Sequence, residues 1–353
     1  VTPLSAPEFA TLMAPFAPFE TWPALAVAVS GGRDSTALVV LAHEWAAARQ
    51  GRVLALIVDH GLRIDSAEEA RVTRARLAAL GIDAEILPWS GAKPATRVQQ
   101  MAREARYRLM FDACRRHGIL HLLMAHQADD QAETVAMRAL RESGPDGLAG
   151  MAALVEHRDA RLLRPLLAVP RARLTATLRA RGIGWIDDPS NEDRRFERVR
   201  VRQDGVAPPV LDGASRAARD REVAQAALQT LEVGPDSVVL DQLVVSDLSK
   251  EITGRLLGRV VQAVAGGAYP PKRQRLDRAA ARLSLTQDRG KSGKSRDFTL
   301  SGCQLVLRRD PATRRLRWIV RRESGRRNAK TSGQPLVPAA FFACDASCAT
   351  HLD

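Results

Sequence analysis

The sequence predicts an α/β protein: a parallel, doubly wound sheet of the kind that binds ligands at its strand ends, followed by a helical region and a small α+β unit. Two observations carry the first half of that expectation. Four short apolar runs, Leu25–Val29, Val53–Val58, Ala84–Leu87 and Leu120–Met124, are separated by helix-length segments, the pattern of strands buried on both faces and joined by right-handed crossovers. Polar clusters follow three of those runs, and in such sheets ligands bind beyond the carboxyl ends of the strands. The second half rests on helical patterns and short apolar runs beyond Pro208-Pro209, and the charge changes there too. Residues 1–205 hold 28 Lys and Arg against 25 Asp and Glu, whereas residues 255–330 hold 21 against 5.

In chain order, Leu25–Val29 (LAVAV) runs into Ser30-Gly31-Gly32-Arg33-Asp34-Ser35, and a helical pattern follows from Thr36 to Arg49. Strand, glycine turn and helix together make a phosphate site. Glycine lets backbone N–H groups approach an anion, and the helix N-terminus adds positive potential. The GxxxxGK[ST] spacing of a Walker loop and the GxGxxG of a dinucleotide fold are both absent. After Val53–Val58 comes Asp59-His60-Gly61-Leu62-Arg63, and Ser66 with Glu69 reads as a capping box for a helix to Leu80, stopped by Gly81. A long helix, about Arg97 to His117, ends at Gly118. Beyond the fourth strand, His126 to Thr134 (HQADDQAET) places Asp130, Glu133 and Thr134 at i, i+3 and i+4, hence on one helix face. Carboxylates there can hold Mg²⁺ beside phosphates or take a substrate ammonium group.

Pro208-Pro209 marks a linker at 206–213. Helical patterns at Ala214–Leu231 and Leu248–Val264 follow, then a break at Gly266–Pro271 and a basic helix, about Lys272 to Leu285. Gly290–Ser295 (GKSGKS) follows no strand and is rejected as a nucleotide loop. Phe298–Leu300, Gln304–Leu307 and Leu316–Val320 read as a small β unit, and 324–353 as a tail without periodicity. The domains expected are therefore 1–205, catalytic, and 214–323, basic.

Composition bounds the function. With 353 residues and 45% apolar content, two or three ordinary globular domains are expected. No apolar run is long enough to span a bilayer, and the N-terminus lacks the pattern of a secretory signal. The four cysteines form no CxxC and no zinc spacing, which fits a reducing cytoplasm. A block as basic as 255–330 is a candidate polyanion footprint, and Arg308, Arg309, Arg314 and Arg315 are its candidate contacts. Aromatics are only 4%, so no ladder of base-stacking side chains is expected.

The SGGRDS loop resembles that of the PP-loop ATP pyrophosphatase superfamily, which cleaves ATP between its α and β phosphates. The resemblance then becomes specific. SGGRDS, VDHGLR, AREARYRLM, HQADDQAET, Gly147–Met151, Arg164–Leu167, Ile183-Gly184-Trp185, Asp187–Asn191 and FERVRVR (Phe196–Arg202) follow one another in the order of the bacterial tRNA(Ile)-lysidine synthase family. One position departs: Val199 stands where the family usually has Asn.

That resemblance implies ATP-dependent ligation of L-lysine to C2 of the wobble cytidine in a minor tRNA-Ile with a CAU anticodon. The adenylated tRNA is the intermediate, AMP and pyrophosphate are released, and the codon read changes from AUG to AUA. It implies ATP and Mg²⁺ as cofactors, with Ser30, Gly31, Gly32, Arg33, Asp34 and Ser35 holding the pyrophosphate and Asp34 positioning the metal. Asp130 and Glu133 would bind lysine, Arg106 and His126 would stabilise charge on the adenylate, and Arg194, Arg195, Arg198 and Arg202 would join the basic block in holding tRNA. A homodimer is compatible with these partners, and no membrane is among them. Two other readings stay open: a PP-loop enzyme of tRNA 2-thiolation, which would want clustered cysteines, and a non-catalytic nucleic-acid-binding protein, which would leave the carboxylates without purpose.

Overall fold

Strands and helices alternate from Ala24 to Leu140 as the spacing of the apolar runs requires. The computed structural model describes residues 1–62, 65–91, 96, 98–140, 148–157, 159–186, 213–265, 270–284 and 297–323. The chain divides into two compact units, Val1–Gly213 and Ala214–Asp353.

The first unit opens with α1 (Ala6–Met13) and continues through β1 (Ala24–Ala28), α2 (Arg33–Ala47), β2 (Arg52–Asp59), α3 (Ser66–Ala79), β3 (Asp83–Pro88), α4 (Val98–His117), β4 (His121–Leu123), α5 (Ala128–Leu140), β5 (Leu154–Glu156), β6 (Arg161–Leu163) and α6 (Arg171–Ala180). The sheet order is β3-β2-β1-β4-β6-β5. β1 pairs in parallel with both β2 and β4, so Val27 lies opposite Ala55 on one side and Leu123 on the other. From β1 the chain builds outward to β2 and β3, then returns to lay β4 on the other flank. The strand order therefore reverses between β1 and β4, and ligand crevices open at such a point.

Burial on both faces explains the unbroken apolar runs. Leu25 and Val27 of β1 and Ala55 and Ile57 of β2 face a core shared with Leu38 and Leu41 of α2 and Leu174 and Leu178 of α6. Their alternates, Ala26, Leu56 and Leu122, face Met110, Phe111 and Cys114 of α4. The N-terminal segment is tied to α6, where the Leu4 N–H donates to Thr177 Oγ1 (2.8 Å) and Arg173 holds Glu8 (2.8 Å).

The parallel sheet carries one antiparallel edge strand, β5, paired with β6. Four residues join them, far too few for a crossover. One local expectation is corrected: the capping box at Ser66 is absent. α3 begins at Ser66 with Asp65 as its N-cap, and the Ser66 hydroxyl donates to Asp59 Oδ1 (2.7 Å). A carboxylate at the end of β2 is a stronger acceptor than anything the helix turn offers.

The second unit contains α7 (Gly213–Thr230), β7 (Leu231–Val233), β8 (Ser237–Asp241), α8 (Gln242–Asp247), α9 (Lys250–Ala265), α10 (Arg273–Leu283), β9 (Phe298–Leu300), β10 (Cys303–Arg309) and β11 (Leu316–Arg322). Its strands form one antiparallel sheet in the order β7-β8-β11-β10-β9. Three of the five were expected. β7 and β8 were not, and β8 pairs along β11 with Val238 and Leu240 turned into the core. Trp318, Leu305 and Val320 pack there against Leu256, Leu257 and Val260 of α9.

The expected linker up to residue 212, the rejected GKSGKS stretch and the tail lie outside the described residues, as do Asp187–Asn191 and Arg194, Arg195, Arg198 and Arg202. Among the described residues no helix is long and apolar enough to cross a membrane.

Candidate active site

Ser30 to Ser35 form the turn between β1 and α2, directly at the point where the strand order reverses. Gly31 has φ +82°, in the left-handed region, and its carbonyl accepts from the Ile186 N–H (2.9 Å). The turn is held by its serines. Ser35 Oγ donates to the Gly32 carbonyl (3.0 Å) and accepts from the Ser30 N–H (3.1 Å), while Thr36 Oγ1 donates to the same carbonyl (2.9 Å). No side chain among the described residues caps α2, so the N–H groups of its first turn are left for an incoming anion. Thr73 of α3, buried at 4% exposure, stands against Gly31.

Asp34 lies in that first turn. Arg33 Nε is 3.1 Å from its Oδ1 and Arg171 Nε 3.6 Å from its Oδ2. Arg171 also reaches Asp129, at 3.8 Å from Oδ2. α5 leaves the neighbouring strand β4 by way of His126 and Gln127. The Gln127 N–H donates to Asp130 Oδ2 (3.1 Å), and the Asp129 N–H to Gln127 Oε1 (2.6 Å). Burial holds the Asp130 carboxyl above the usual aspartate range; the Gln127 hydrogen bond and Arg171 oppose that shift, while the charges of Glu133 and Asp34 add to it. Glu133, one turn further on, is buried at 4% exposure. The structure therefore brings together Asp34, Asp129, Asp130, Glu133 and Arg171.

His126 Nδ1 accepts from Arg164 Nε (3.1 Å), which assigns the ring proton of the neutral imidazole to Nε2. Arg164 is buried and also donates to the Ala152 carbonyl (2.7 Å). Arg106 lies on α4 with its guanidinium carbon 5.8 Å from the Tyr107 ring centre. The turn at Leu148–Met151 is clamped to α5, since the Gln131 amide accepts from the Met151 N–H (2.6 Å) and donates to the Met151 carbonyl (3.0 Å).

Arg171 was missed from the sequence. Its signal is a cation in the first turn of a helix, where the macrodipole opposes it and only nearby carboxylates make the position tolerable.

The candidate contacts in the basic block divide by pairing. Arg308 makes a two-pronged bond to Asp297 (3.2 and 3.1 Å) and Arg315 lies 3.5 Å from Asp241. Arg309 donates to the Arg314 carbonyl (2.9 Å), and Arg314 occupies the hairpin turn at φ +60°. A second basic surface in the same unit was not singled out. Arg275, Arg278 and Arg282 of α10, with Phe298, Ser301 and Gly302, line a cavity of about 480 Å³. The Arg282 guanidinium sits 4.3 Å from the Phe298 ring centre.

A titration follows from Asp130. A buried carboxyl held above its ordinary value keeps a proton that the unfolded chain has lost, so stability declines as pH rises above 3.8 toward the folded value. Asp130→Asn keeps the acceptor for the Gln127 N–H and removes the charge. It is expected to raise the Tm at neutral pH by about 2–4 °C and to flatten the wild-type decline between acid and neutral pH. Thermal melts across that range check it, and an unchanged slope would refute the assignment.

A family model described as a PP-loop domain matches residues 5–208. A tRNA(Ile)-lysidine synthase from a Bradyrhizobium species (strain BTAi1) is 39% identical over 341 residues, covering 87% of this chain and 93% of its own. That of Rhodopseudomonas palustris is 39% identical over 315 residues, covering 84% and 91%. That of Bradyrhizobium diazoefficiens is 45% identical over 245 residues, covering 67% and 66%. With a family model over residues 5–208 and relatives that match most of its length, the chain belongs to the tRNA(Ile)-lysidine synthase family, built on a PP-loop domain.

Proposed function

We propose that this protein is a tRNA(Ile)-lysidine synthase that uses ATP to join L-lysine to C2 of the wobble cytidine of a minor tRNA-Ile with a CAU anticodon. The observation that carries the reading is the meeting of the SGGRDS turn with Asp130 and Glu133 across the β1–β4 crevice. Cytidine O2 attacks the α phosphorus and pyrophosphate leaves. The lysine ε-amine then attacks C2, and the C2–O2 bond breaks as AMP departs with that oxygen. The N–H groups of the loop and of the first turn of α2 offset charge gathering on the pyrophosphate. Asp130 and Glu133 take the ammonium and orient the amine, which attacks only after losing a proton. His126 Nε2 and Arg106 donate to the adenylate.

Asp34 suits a divalent cation. Among the described residues no three Asp, Glu, His or Cys side chains could hold a metal by themselves, which fits Mg²⁺ bound through one or two carboxylates and completed by phosphate and water oxygens. When bound, it would neutralise the phosphates that the reaction cleaves.

The thiolation alternative finds little support in the two described cysteines. Cys114 and Cys303 lie in the cores of different units, and burial pushes their thiols up to about 12 and about 11. Reactive thiolates are lowered, not raised. Turnover with labelled lysine and total tRNA tests the proposal: lysine should enter tRNA only with ATP present, releasing AMP. Absence of lysine incorporation would overturn it.

The second unit is proposed to dock tRNA through its phosphates. Arginines already paired with carboxylates release fewer counterions, so the α10 face should contribute more than Arg308 and Arg315. Reversing Arg275 and Arg278 to Glu is expected to flatten the log Kd against log salt slope by about 2, roughly 1 for each arginine–phosphate pair removed. The same change at Arg308 and Arg315 should flatten it less. Filter binding of the minor tRNA-Ile across a salt series checks this, and equal slopes for wild type and the α10 variant would remove that face from the interface.

A further inference from the structure

Arg171 opens α6 directly after Pro170, its N-cap residue. Its Nε stands 3.6 Å from Asp34 and 3.8 Å from Asp129, close enough for charge and too far for a hydrogen bond. That Nε is buried without a hydrogen-bond partner among the described residues, while the side chain as a whole keeps 22% exposure. Its charge also acts on Asp130. A guanidinium with five donors is thus held among three carboxylates by electrostatics alone, at the positive end of a helix. Such a group stays charged at any working pH. A divalent cation at about 2 Å from Asp34 Oδ2 would stand within about 6 Å of it, and the two charges repel.

We propose that Arg171 is a built-in counter-cation of this site. Without nucleotide it shares Asp34 with Arg33, whose Nε stands 3.1 Å from Oδ1, lies against Asp129, and competes with a divalent cation for Asp34 Oδ2. When ATP and the cation arrive together, the phosphates draw the guanidinium away from Asp34 through charge-assisted hydrogen bonds, which Arg makes readily with phosphate. Cation binding is thereby coupled to nucleotide binding, and a free cation is disfavoured. The inference rests on the reading of Asp34 as the cation ligand.

The test follows Mn²⁺ uptake by the full chain as metal retained with the protein on ultrafiltration, with and without a non-hydrolysable ATP analogue. Arg171→Gln is expected to bind Mn²⁺ alone about tenfold more tightly than wild type, and Mn²⁺ with the analogue about tenfold less tightly. Arg171→Lys keeps a competing charge and should stay within about threefold of wild type for Mn²⁺ alone. Arg171→Ala is the second neutral variant should the Gln form fail to fold. A merely structural arginine would weaken both binding modes or neither. Unchanged or weaker uptake of Mn²⁺ alone by a folded neutral variant overturns the proposal, as does a Lys variant that behaves like the Gln one. A different failure is separately visible. If wild type takes up no Mn²⁺ with the analogue, or if Asp34→Asn added to Arg171→Gln leaves the tightened binding intact, Asp34 is not the ligand and the inference falls with that reading.

Discussion

Replacing Gly31 by alanine is expected to lower tRNA-dependent ATP–pyrophosphate exchange by about a hundredfold or more, from two additive penalties. The first is backbone. Gly31 has φ +82°, and an L-residue held there costs about 1–3 kcal/mol. The second is space. A Cβ on Gly31 would stand 2.5 Å from Thr73 Oγ1 and 3.1 Å from Ile186 Cδ1, and overpacking of that kind costs about 1–3 kcal/mol. The chain can escape both only by flattening the turn, which redirects the N–H groups proposed to face the phosphates. Strain that the folded turn retains lowers stability by the same amount, so the Tm should fall by about 2–4 °C for each kcal/mol retained. Adding Thr73→Ala relieves the clash and leaves the torsional cost, so the double variant should recover about tenfold and no more. Exchange rates of the two single variants and the double variant check it, and wild-type exchange in Gly31→Ala would remove the turn from phosphate binding.

How much of this was legible in the sequence depends on how local each feature is. The β1–turn–α2 unit was readable because its parts are contiguous: an apolar strand, two glycines and a helix with no side-chain cap. The face shared by Asp130 and Glu133 was readable because helical spacing alone fixes it. Arg171 was not, since its partners Asp34 and Asp129 are 137 and 42 positions away in a sequence that carries many arginines. Only the fold brings them together. The Ser66 capping box failed for a related reason: the local pattern was present, but Asp59 from the previous strand competed for the hydroxyl. β7 and β8 escaped notice because each is short and their apolar residues read equally well as the fringe of a helix. Pairing along β11, with Val238 and Leu240 buried, decides the matter. Net charge is blind to pairing of the same kind, since counting arginines between 255 and 330 cannot show that Arg308 and Arg315 already face Asp297 and Asp241.

Glu133→Gln is expected to raise the apparent KM for lysine by roughly ten- to a hundredfold, the loss of a charge-assisted hydrogen bond costing about 1.5–3 kcal/mol, while the KM for ATP changes little. Glu133 is buried at 4% exposure and sits one helical turn beyond Asp130, whose carboxyl its charge pushes upward. Two carboxylates confined in this way repel, and a cation that joins them relieves the repulsion as well as gaining its own attraction. A substrate ammonium is such a cation. Glutamine preserves the shape and an acceptor oxygen but removes both effects. Its second consequence concerns pH: with Glu133 neutral, one of the influences raising Asp130 is gone, so the Asp130 carboxyl falls toward the ordinary aspartate range. The acid limb of lysine transfer should then move to lower pH in the variant. The two readouts together separate a missing partner for the ammonium from a distorted helix, which would not move the acid limb in that direction. Steady-state kinetics with lysine and ATP varied in turn, repeated across pH, provides both. If the ATP dependence moved while the lysine dependence held, Glu133 would belong with Asp34 on the phosphate side of the crevice, and the ammonium would have to be held by Asp129 and Asp130 instead.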